Sequence, residues 1–270
     1  YFHACNRGKR SIVADFRTQE GADLVRALIA DADVVIENFK VGGLAKYGLD
    51  YASLNAINPR LVYCSITGFG QDGPYAPRAG YDFIIQAMAG MMSITGEAGR
   101  EPQKAGVGIS DLFTGLYSVI AIQAALRHVE KTCEGQHIDM ALFDSQISAL
   151  GNQNLNYLVS GKSPVQMGNA HMNIAPYEVL PVKDGHIILA VGNDGQFGKF
   201  CAAVGLDDLP SNPDFATNPA RVANRARLRE RIIDALKGLE CDQLMADLES
   251  SSEPRVALIM TGSWLDAPEI

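Results

Sequence analysis

Two short apolar runs, each following a helical pattern, constrain the fold more than any other feature of the sequence. Apolar residues fall on one helical face between 24 and 29, and the run "VVIE" at 34–37 follows them. A second helical segment at 51–57 precedes the run "RLVYCSI" at 60–66. Short runs without polar alternation are typical of strands buried on both faces. Since these strands alternate with helices, the sequence predicts an α/β fold with a mostly parallel sheet.

Further elements follow along the chain. The segment "QHIDMAL" reads as extended, and "DGHIILAVG" reads as a strand after a turn. The segments "GQFGKFCAAVGL" and "NRARLRERIIDALKGL" read as helices, and we expect the arginines of the second to form a solvated face. Three more helices are predicted at 81–93, 112–130 and 143–160.

The composition changes in one segment that shows no clear period. The stretch "VSGKSPVQMGNAHMNIAPY" is rich in Gly, Pro, Ser and Asn, as is typical of a connection between domains. We therefore predict a first domain at 1–160, a linker at 161–175 and a second domain at 176–270.

The net charge of −8 limits the partners that this chain can bind. An acidic surface disfavours both nucleic acid and anionic membranes. The longest apolar runs fall short of the roughly 20 residues that a membrane span needs, and no signal segment opens the chain. We expect a cytoplasmic protein that binds neither nucleic acid nor membrane.

Several widespread catalytic and cofactor motifs are missing from the sequence. It contains no Walker loop, no GxGxxG, no GxSxG and no HExxH, and its five histidines lack the spacing of metal ligands. Its five cysteines include no CxxC pair. The sequence therefore predicts no metal site, no disulfide framework and no tightly bound cofactor.

One carboxylate stands where a long apolar helix should begin. Asp111 lies in "GVGISDLFTG" at 106–115, between small residues and the apolar run that follows. Ser and Asp are preferred at helix N-termini, so Asp111 is a candidate cap. A carboxylate at that position is also held ionised by the helix dipole, which suits a nucleophile. Both roles remain open from the residues alone.

Five long segments occur with consistent order and spacing: "NRGKRSIVADFRTQEG", "ADVVIENF", "GLDYASLNAINPRLVYCSITGFGQDGPYA", "RAGYD" and "GVGISDLFTGLYS". They resemble the class III CoA-transferases, also called the CaiB/BaiF or formyl-CoA transferase family, over roughly residues 1–240. The resemblance implies a Rossmann-like large domain, a smaller α+β domain and a homodimer of two chains threaded as interlocked rings. Compared with the family, we expect this chain, which opens at Tyr1, to lack a strand and helix at its start and a closing segment at its end.

The resemblance also implies the residues of an active site. The family's nucleophile maps to Asp111, and Tyr81 is expected to donate a hydrogen bond near the acyl or carboxylate oxygens. Arg17 and Lys46 would pair with nucleotide phosphates, although each could instead be an ordinary surface charge. The implied coenzyme A contacts are Ala14, Asp15, Phe16, Arg17, Asn38, Phe39, Lys40, Lys46, Arg78, Ala79, Gly80 and Tyr81.

The activity that the resemblance implies is transfer of coenzyme A from an acyl-CoA to a carboxylic acid. The reaction would proceed by ping-pong chemistry through a mixed anhydride and a thioester at Asp111, with acyl-CoA as a substrate and no other cofactor. The wording "GNAH" followed by "PY" is similar to branches that act on succinyl-CoA, which favours a dicarboxylate such as succinate. That same stretch holds Gly168 alone, so a closing glycine-rich loop is in doubt.

Two alternatives remain. Related α-methylacyl-CoA racemases use a histidine at the position of Tyr81, and tyrosine, with a pKa of about 10, is a poor base at neutral pH. A degenerate, non-catalytic protein that binds coenzyme A is the other alternative. It is kept open by the tail "SSSEPRVALIMTGSWLDAPEI", which departs from the family and could reflect a frameshift.

Overall fold

The computed structural model describes residues 2–250 and 255–258, and its contacts divide the chain into two units. The first unit comprises the residues up to Thr95 together with Pro102–Val165. The second comprises Gly96–Glu101 and the residues from Gln166 onward. The assignment of a large domain, a linker and a small domain stays a prediction, and most of the divergent tail lies outside the described residues.

The first unit is built around three short strands and the helices between them. Its elements are α1 (Phe2–Asn6), α2 (Gln19–Ala30), β1 (Val34–Glu37), a 3-10 turn (Ala45–Tyr47), α3 (Tyr51–Ile57), β2 (Val62–Thr67), α4 (Asp82–Met88), α5 (Met91–Ile94), α6 (Ile109–Thr132), β3 (Gln136–Ala141), α7 (Leu142–Ala149) and α8 (Asn152–Ser160).

The strands pair in the order β1-β2-β3, and all three are parallel. Val62 of β2 pairs with Val34 of β1 and with Gln136 of β3. Leu54 of α3 packs on one face of β2, and Ile122 of α6 packs on the other. Helices therefore cover both faces of a small parallel sheet, which confirms the predicted α/β class.

The second unit has a different architecture. Its elements are β4 (Tyr177–Pro181), β5 (His186–Ala190), α9 (Asp194–Ala203), a 3-10 turn (Leu209–Ser211), α10 (Asn218–Ala223), α11 (Arg225–Leu236), α12 (Cys241–Ser250) and β6 (Arg255–Leu258). The three strands form an antiparallel sheet in the order β4-β5-β6. Leu180, Ile187, Phe197 and Leu228 belong to one buried apolar cluster, so this sheet and its helices share a core.

Several predicted elements differ from the observed ones at glycines. The predicted helix at 81–93 is divided between α4 and α5 at Gly90, and that at 143–160 is divided between α7 and α8 at Gly151. Both glycines have positive φ angles, of 91° and 57°, which end a right-handed helix. The arginines of α11 were expected to be solvated, and Arg227, Arg229 and Arg231 are exposed; Arg229 also pairs with the buried Glu178 at 2.8 Å.

Helix α6 is the longest described element, and its two sides differ. Its buried stripe begins with Ser110, Thr114 and Ser118, and the Thr114 and Ser118 hydroxyls donate to carbonyls one turn earlier. Leu116 and Ile120 on the other side are each 63% exposed. Among the described residues this helix alone is long and apolar enough to cross a membrane by length and composition. Its apolar runs are nevertheless shorter than the roughly 20 residues that the sequence analysis required of a membrane span.

Candidate active site

A cavity of about 210 Å³ lies where the parallel strands of the first unit end. The residues after β1 form one wall, and the end of β2 forms another, as is usual for ligand sites of parallel sheets. Seven of the predicted coenzyme A contacts line this cavity. They are Asn38, Phe39, Lys40, Arg78, Ala79, Gly80 and Tyr81.

Two glycines allow the wall at 78–81 to approach the end of β2. A Cβ on Gly68 would lie 2.5 Å from the Cα of Gly80, and a Cβ on Gly80 would meet the Cα of Gly68 even more closely. Such separations are not possible between a methyl group and a backbone atom. Only glycine at both positions permits this backbone contact, which sets the width of the cavity.

Polar and aromatic contacts hold the residues around the cavity. The Asn38 side-chain amide donates to the Ile66 carbonyl oxygen at 2.5 Å, which ties the segment after β1 to β2. The Arg78 guanidinium lies 4.2 Å from the centroid of the Tyr75 ring. Tyr81 is 72% exposed and occupies the residue before α4, so its phenol is available to a ligand.

Phe16 and Lys46 lie away from the lining of this cavity, and an aromatic cluster connects them to it. The Phe16 ring is 5.7 Å from the Phe39 ring and 5.2 Å from the Tyr47 ring, measured between centroids. The Lys46 amine lies 4.8 Å from the Tyr47 centroid. Phe39 therefore contacts both the cavity and the segment that contains Phe16.

Arg17 pairs with a neighbouring carboxylate. Its guanidinium donates to both carboxylate oxygens of Asp15, each at 2.8 Å. This pair lowers the pKa of Asp15 to about 2. A phosphate would have to compete with Asp15 for the Arg17 guanidinium. The sequence pattern did not indicate this Asp15–Arg17 pair. Ala14 precedes the pair and is half-buried.

Asp111 is the third residue of α6, and its side chain does not cap the helix. The residue before α6 is Gly108, which provides no side-chain cap. Among the described residues, no hydrogen bond engages the exposed Asp111 carboxylate. Partial burial, followed by the charge of Asp82, raises the pKa of Asp111 above its ordinary value. The cap alternative is therefore wrong, and the carboxylate is available for chemistry.

Asp82 provides the cap that Asp111 does not. Its Oδ1 atom accepts from the Ser110 backbone N–H at 2.8 Å, and its Oδ2 atom accepts from the Gln86 amide at 2.7 Å. Asp82 directly follows Tyr81, which lines the cavity. The Asp82–Ser110 bond therefore links the cavity wall to the first turn of α6. The sequence offered one signal for this role, an acidic residue directly after the "RAGY" run.

A sequence profile described as CoA-transferase family III matches residues 1–261. The chain belongs to this family. The match extends beyond residue 240, where the resemblance was expected to end. Among the described residues, no group of three or more His, Cys, Asp or Glu side chains is placed to hold a metal ion.

Individual members of the family are similar to this chain over most of its length. Succinate–glutarate CoA-transferase from Agrobacterium fabrum is 60% identical over 247 residues, which are 91% of this chain and 62% of that protein. Succinyl-CoA:mesaconate CoA-transferase from Haloarcula hispanica is 37% identical over 100% of this chain and 68% of its own length. The chain thus spans between three fifths and seven tenths of these relatives.

A solved structure has the same fold. The crystal structure of a CaiB/BaiF family protein from Brucella suis superimposes with a TM-score of 0.80 at 63% sequence identity. The superposition covers 96% of this chain and 68% of that one. The described α/β architecture is therefore that of CoA-transferase family III.

Proposed function

We propose that this protein transfers coenzyme A from an acyl-CoA to a carboxylic acid, with Asp111 as the nucleophile. The observation that carries the proposal is the position of Asp111 in the first turn of α6. Its carboxylate is unpaired among the described residues, because Asp82 caps the turn in its place. A nucleophile must be free to reach its electrophile, and a carboxylate attacks only when it is ionised.

The reaction has two matched halves. The Asp111 carboxylate attacks the donor thioester, which breaks the carbon–sulfur bond and forms a mixed anhydride with release of the CoA thiolate. The thiolate then attacks the aspartyl carbonyl, which gives an aspartyl-CoA thioester and frees the donor acid. The acceptor carboxylate then attacks the aspartyl carbonyl of this thioester, which forms a second mixed anhydride and releases the CoA thiolate. The thiolate attacks the acceptor carbonyl of that anhydride, which gives the product acyl-CoA and frees the Asp111 carboxylate. Each step exchanges one acyl bond for another, so the thioester is conserved without ATP.

The cavity residues have distinct roles in this proposal. Lys40 and Arg78 supply positive charge at the cavity, which suits the phosphates of coenzyme A. Tyr81 donates its phenolic hydrogen to the oxygen that gains negative charge when Asp111 attacks. Phe39 offers an apolar surface to the ligand.

We propose a dicarboxylic acid as the acceptor. The support is the names of the relatives, which specify succinate, glutarate and mesaconate as substrates of those proteins. The "GNAH" wording at 168–171 agrees with this substrate class. A homodimer is part of the same proposal, because the exposed apolar side of α6 would be covered by a partner chain.

The covalent intermediate provides a direct test. The protein is incubated with succinyl-CoA and quenched in acid, and the intact chain is weighed by mass spectrometry. We expect added mass equal to coenzyme A less one water, as a thioester requires, located on the peptide that contains Asp111, and we expect none in Asp111→Asn. The assay is run on this chain and on a version extended at both ends to the length of the relatives. Equal adduct formation by Asp111→Asn would refute the proposed role of Asp111.

A further inference from the structure

The contacts of Asp82 form a network that reaches both ends of a short loop. Asp82 binds the Ser110 N–H through one oxygen and the Gln86 amide through the other. The Gln86 carbonyl oxygen accepts from the Ala105 N–H at 2.8 Å. The segment from Ala105 to Ser110, directly before the nucleophile, is therefore held at both ends by α4.

The orientation of Gln86 fixes the chemical state of this network. Since its Oε1 atom accepts from Ala105, its amide group must face Asp82. Both Asp82 oxygens then accept hydrogen bonds, which is the pattern of an ionised carboxylate. Gln86 is fully buried, so an unmatched amide here would be costly.

The buried side of the first turn is fixed as well. The Ser110 hydroxyl donates to the Gln146 side-chain oxygen at 2.6 Å, and both residues are fully buried. Ser110 is thus bound through its backbone to α4 and through its side chain to α7. These two contacts hold the backbone of the turn, and so they fix the position from which the Asp111 side chain extends.

We infer that Asp82 is the positioning residue of the nucleophile: it binds the open end of α6 in place of Asp111 and so leaves that carboxylate unpaired. This inference rests on the proposed function of Asp111. A Cβ built on Gly108 would lie 3.4 Å from the Asp111 Oδ2 atom and 3.6 Å from the Asp82 Cγ atom. Both carboxylates therefore lie close to the same glycine, where a side chain would contact both of them.

This placement also gives Asp82 an electrostatic effect. Its negative charge raises the pKa of Asp111, in addition to the larger effect of burial. No other charged group contributes to this shift among the described residues; Gln146 of α7 is neutral, and Lys104 before the loop donates to the Ala105 carbonyl oxygen. Removing the charge at residue 82 should therefore lower the pKa of Asp111.

Three variants separate the hydrogen bonds from the charge. Asp82→Asn keeps an acceptor for Ser110 but presents an amide to the Gln86 amide. The double change Asp82→Asn with Gln86→Glu restores every hydrogen bond and moves the negative charge from residue 82 to residue 86. Asp144→Asn is the matched control, because it removes an exposed carboxylate from the first turn of another helix, α7.

The pKa of Asp111 is read by NMR titration of carboxyl-labelled aspartate, with Asp111→Asn used to assign the signal. We expect a lower pKa of Asp111 in Asp82→Asn, a partial return in the double variant and no change in Asp144→Asn. In the transfer assay we expect kcat to fall roughly 10- to 100-fold in Asp82→Asn and to recover largely in the double variant. The acid limb of kcat/KM should move to lower pH in Asp82→Asn.

The two proposals fail in different ways. The titration needs no substrate, so an unmoved pKa of Asp111 in folded Asp82→Asn, or a pKa in the double variant that does not return towards the wild-type value, would overturn the positioning role alone. Absence of a CoA adduct on the wild-type chain and on its extended version would overturn the proposed function alone. If Asp82 had only a structural role, Asp82→Asn would lower the stability but leave the pKa of Asp111 and the acid limb of kcat/KM unchanged. That result would also contradict the inference.

Discussion

At the scale of single residues, the surroundings of Asp111 in the folded chain disfavour its ionised form. Burial and the nearby Asp82 raise its pKa, so its ionised form is less stable in the folded chain than in the unfolded one. The Asp111 carboxyl therefore binds its proton more tightly in the folded chain than in the unfolded one. The stability from this group is fully present below its ordinary pKa of 3.8 and is lost as the pH rises through the folded value.

The first prediction follows from this sign. Asp111→Asn removes the unfavourable charge, so we expect the variant to be more stable than the wild type at pH 7. The difference should shrink as the pH falls through the raised pKa of folded Asp111 and should vanish below the ordinary value of 3.8, where the wild-type carboxyl is protonated in both states. Thermal unfolding at several pH values measures it. Lower stability of the variant at pH 7 would mean that the carboxylate makes favourable contacts in the folded chain.

The second prediction concerns Tyr81. Proton abstraction from the α-carbon requires a base near neutral pH, and an exposed phenol does not provide one. We expect no incorporation of solvent deuterium into 2-methylacyl-CoA. Tyr81→His supplies the base and should permit slow exchange, detected by mass spectrometry. Rapid exchange by the wild type would instead support the racemase alternative.

Some residues of the site could be predicted from sequence and others could not. Arg78 and Tyr81 were predicted by resemblance and do line the cavity. Asp82 was missed as the cap of α6, because it precedes Ser110 by 28 positions and only the fold brings the two together. Local propensity favours a cap from the nearest acidic residue, so it pointed to Asp111 instead.

At the scale of elements, the contact between Gly68 and Gly80 places the cavity wall against the end of β2. The third prediction is that Gly80→Ala destabilises the chain by about 1–3 kcal/mol, because a methyl group cannot fit there without displacing the backbone. The same displacement should weaken binding of coenzyme A by more than tenfold. Denaturant unfolding and calorimetric titration report the two effects.

A glycine on α9 provides the control for this change. Gly198 has open space around it and helical geometry, so Gly198→Ala should stabilise the helix by up to about 1 kcal/mol. Equal effects of the two substitutions on binding would show that the approach of the two glycines does not shape the cavity.

The fourth prediction concerns the second unit. The Arg221 side chain is fully buried and donates to the carbonyl oxygens of Ala175 and Phe215 and to Asp194. Arg221→Met leaves these acceptors without a donor and should cost about 3 kcal/mol of stability. Arg227→Ala, which removes an exposed pair with Asp214, should cost less than about 1 kcal/mol. Urea unfolding compares them, and similar losses would contradict the interpretation.

The elements themselves were predictable to different degrees. β1 and β2 were found because buried parallel strands have few polar residues. β3 was read as extended although Gln136, His137 and Asp139 are polar and exposed. The start of α6 was placed at 112 instead of Ile109, since Gly106 and Gly108 obscure the helical pattern. β4 was missed because its segment joins the irregular stretch before it, and pairing with β5 gives it order.

At the scale of the whole molecule, the exposed apolar side of α6 has the character of a surface that a second chain would bury. Leu112, Leu116, Val119 and Ile120 are each more than half exposed and follow one side of the helix. The fifth prediction is that the chain forms a dimer in sedimentation experiments and that Leu116→Lys with Ile120→Lys weakens it by at least tenfold. Leu28→Lys on α2 is the control. A monomeric wild type would contradict the proposed assembly.

The second unit is discontinuous in sequence, because Gly96–Glu101 belongs to it although 64 residues of the first unit, Pro102–Val165, intervene. The Gly168 N–H donates to the Gly96 carbonyl oxygen at 2.9 Å, so this short segment is bonded within the unit. A gene fragment that starts after Val165 would therefore encode an incomplete fold. Ribosomes complete the second unit only after synthesising all of the first, so during translation Gly96–Glu101 emerges before the residues that bond to it.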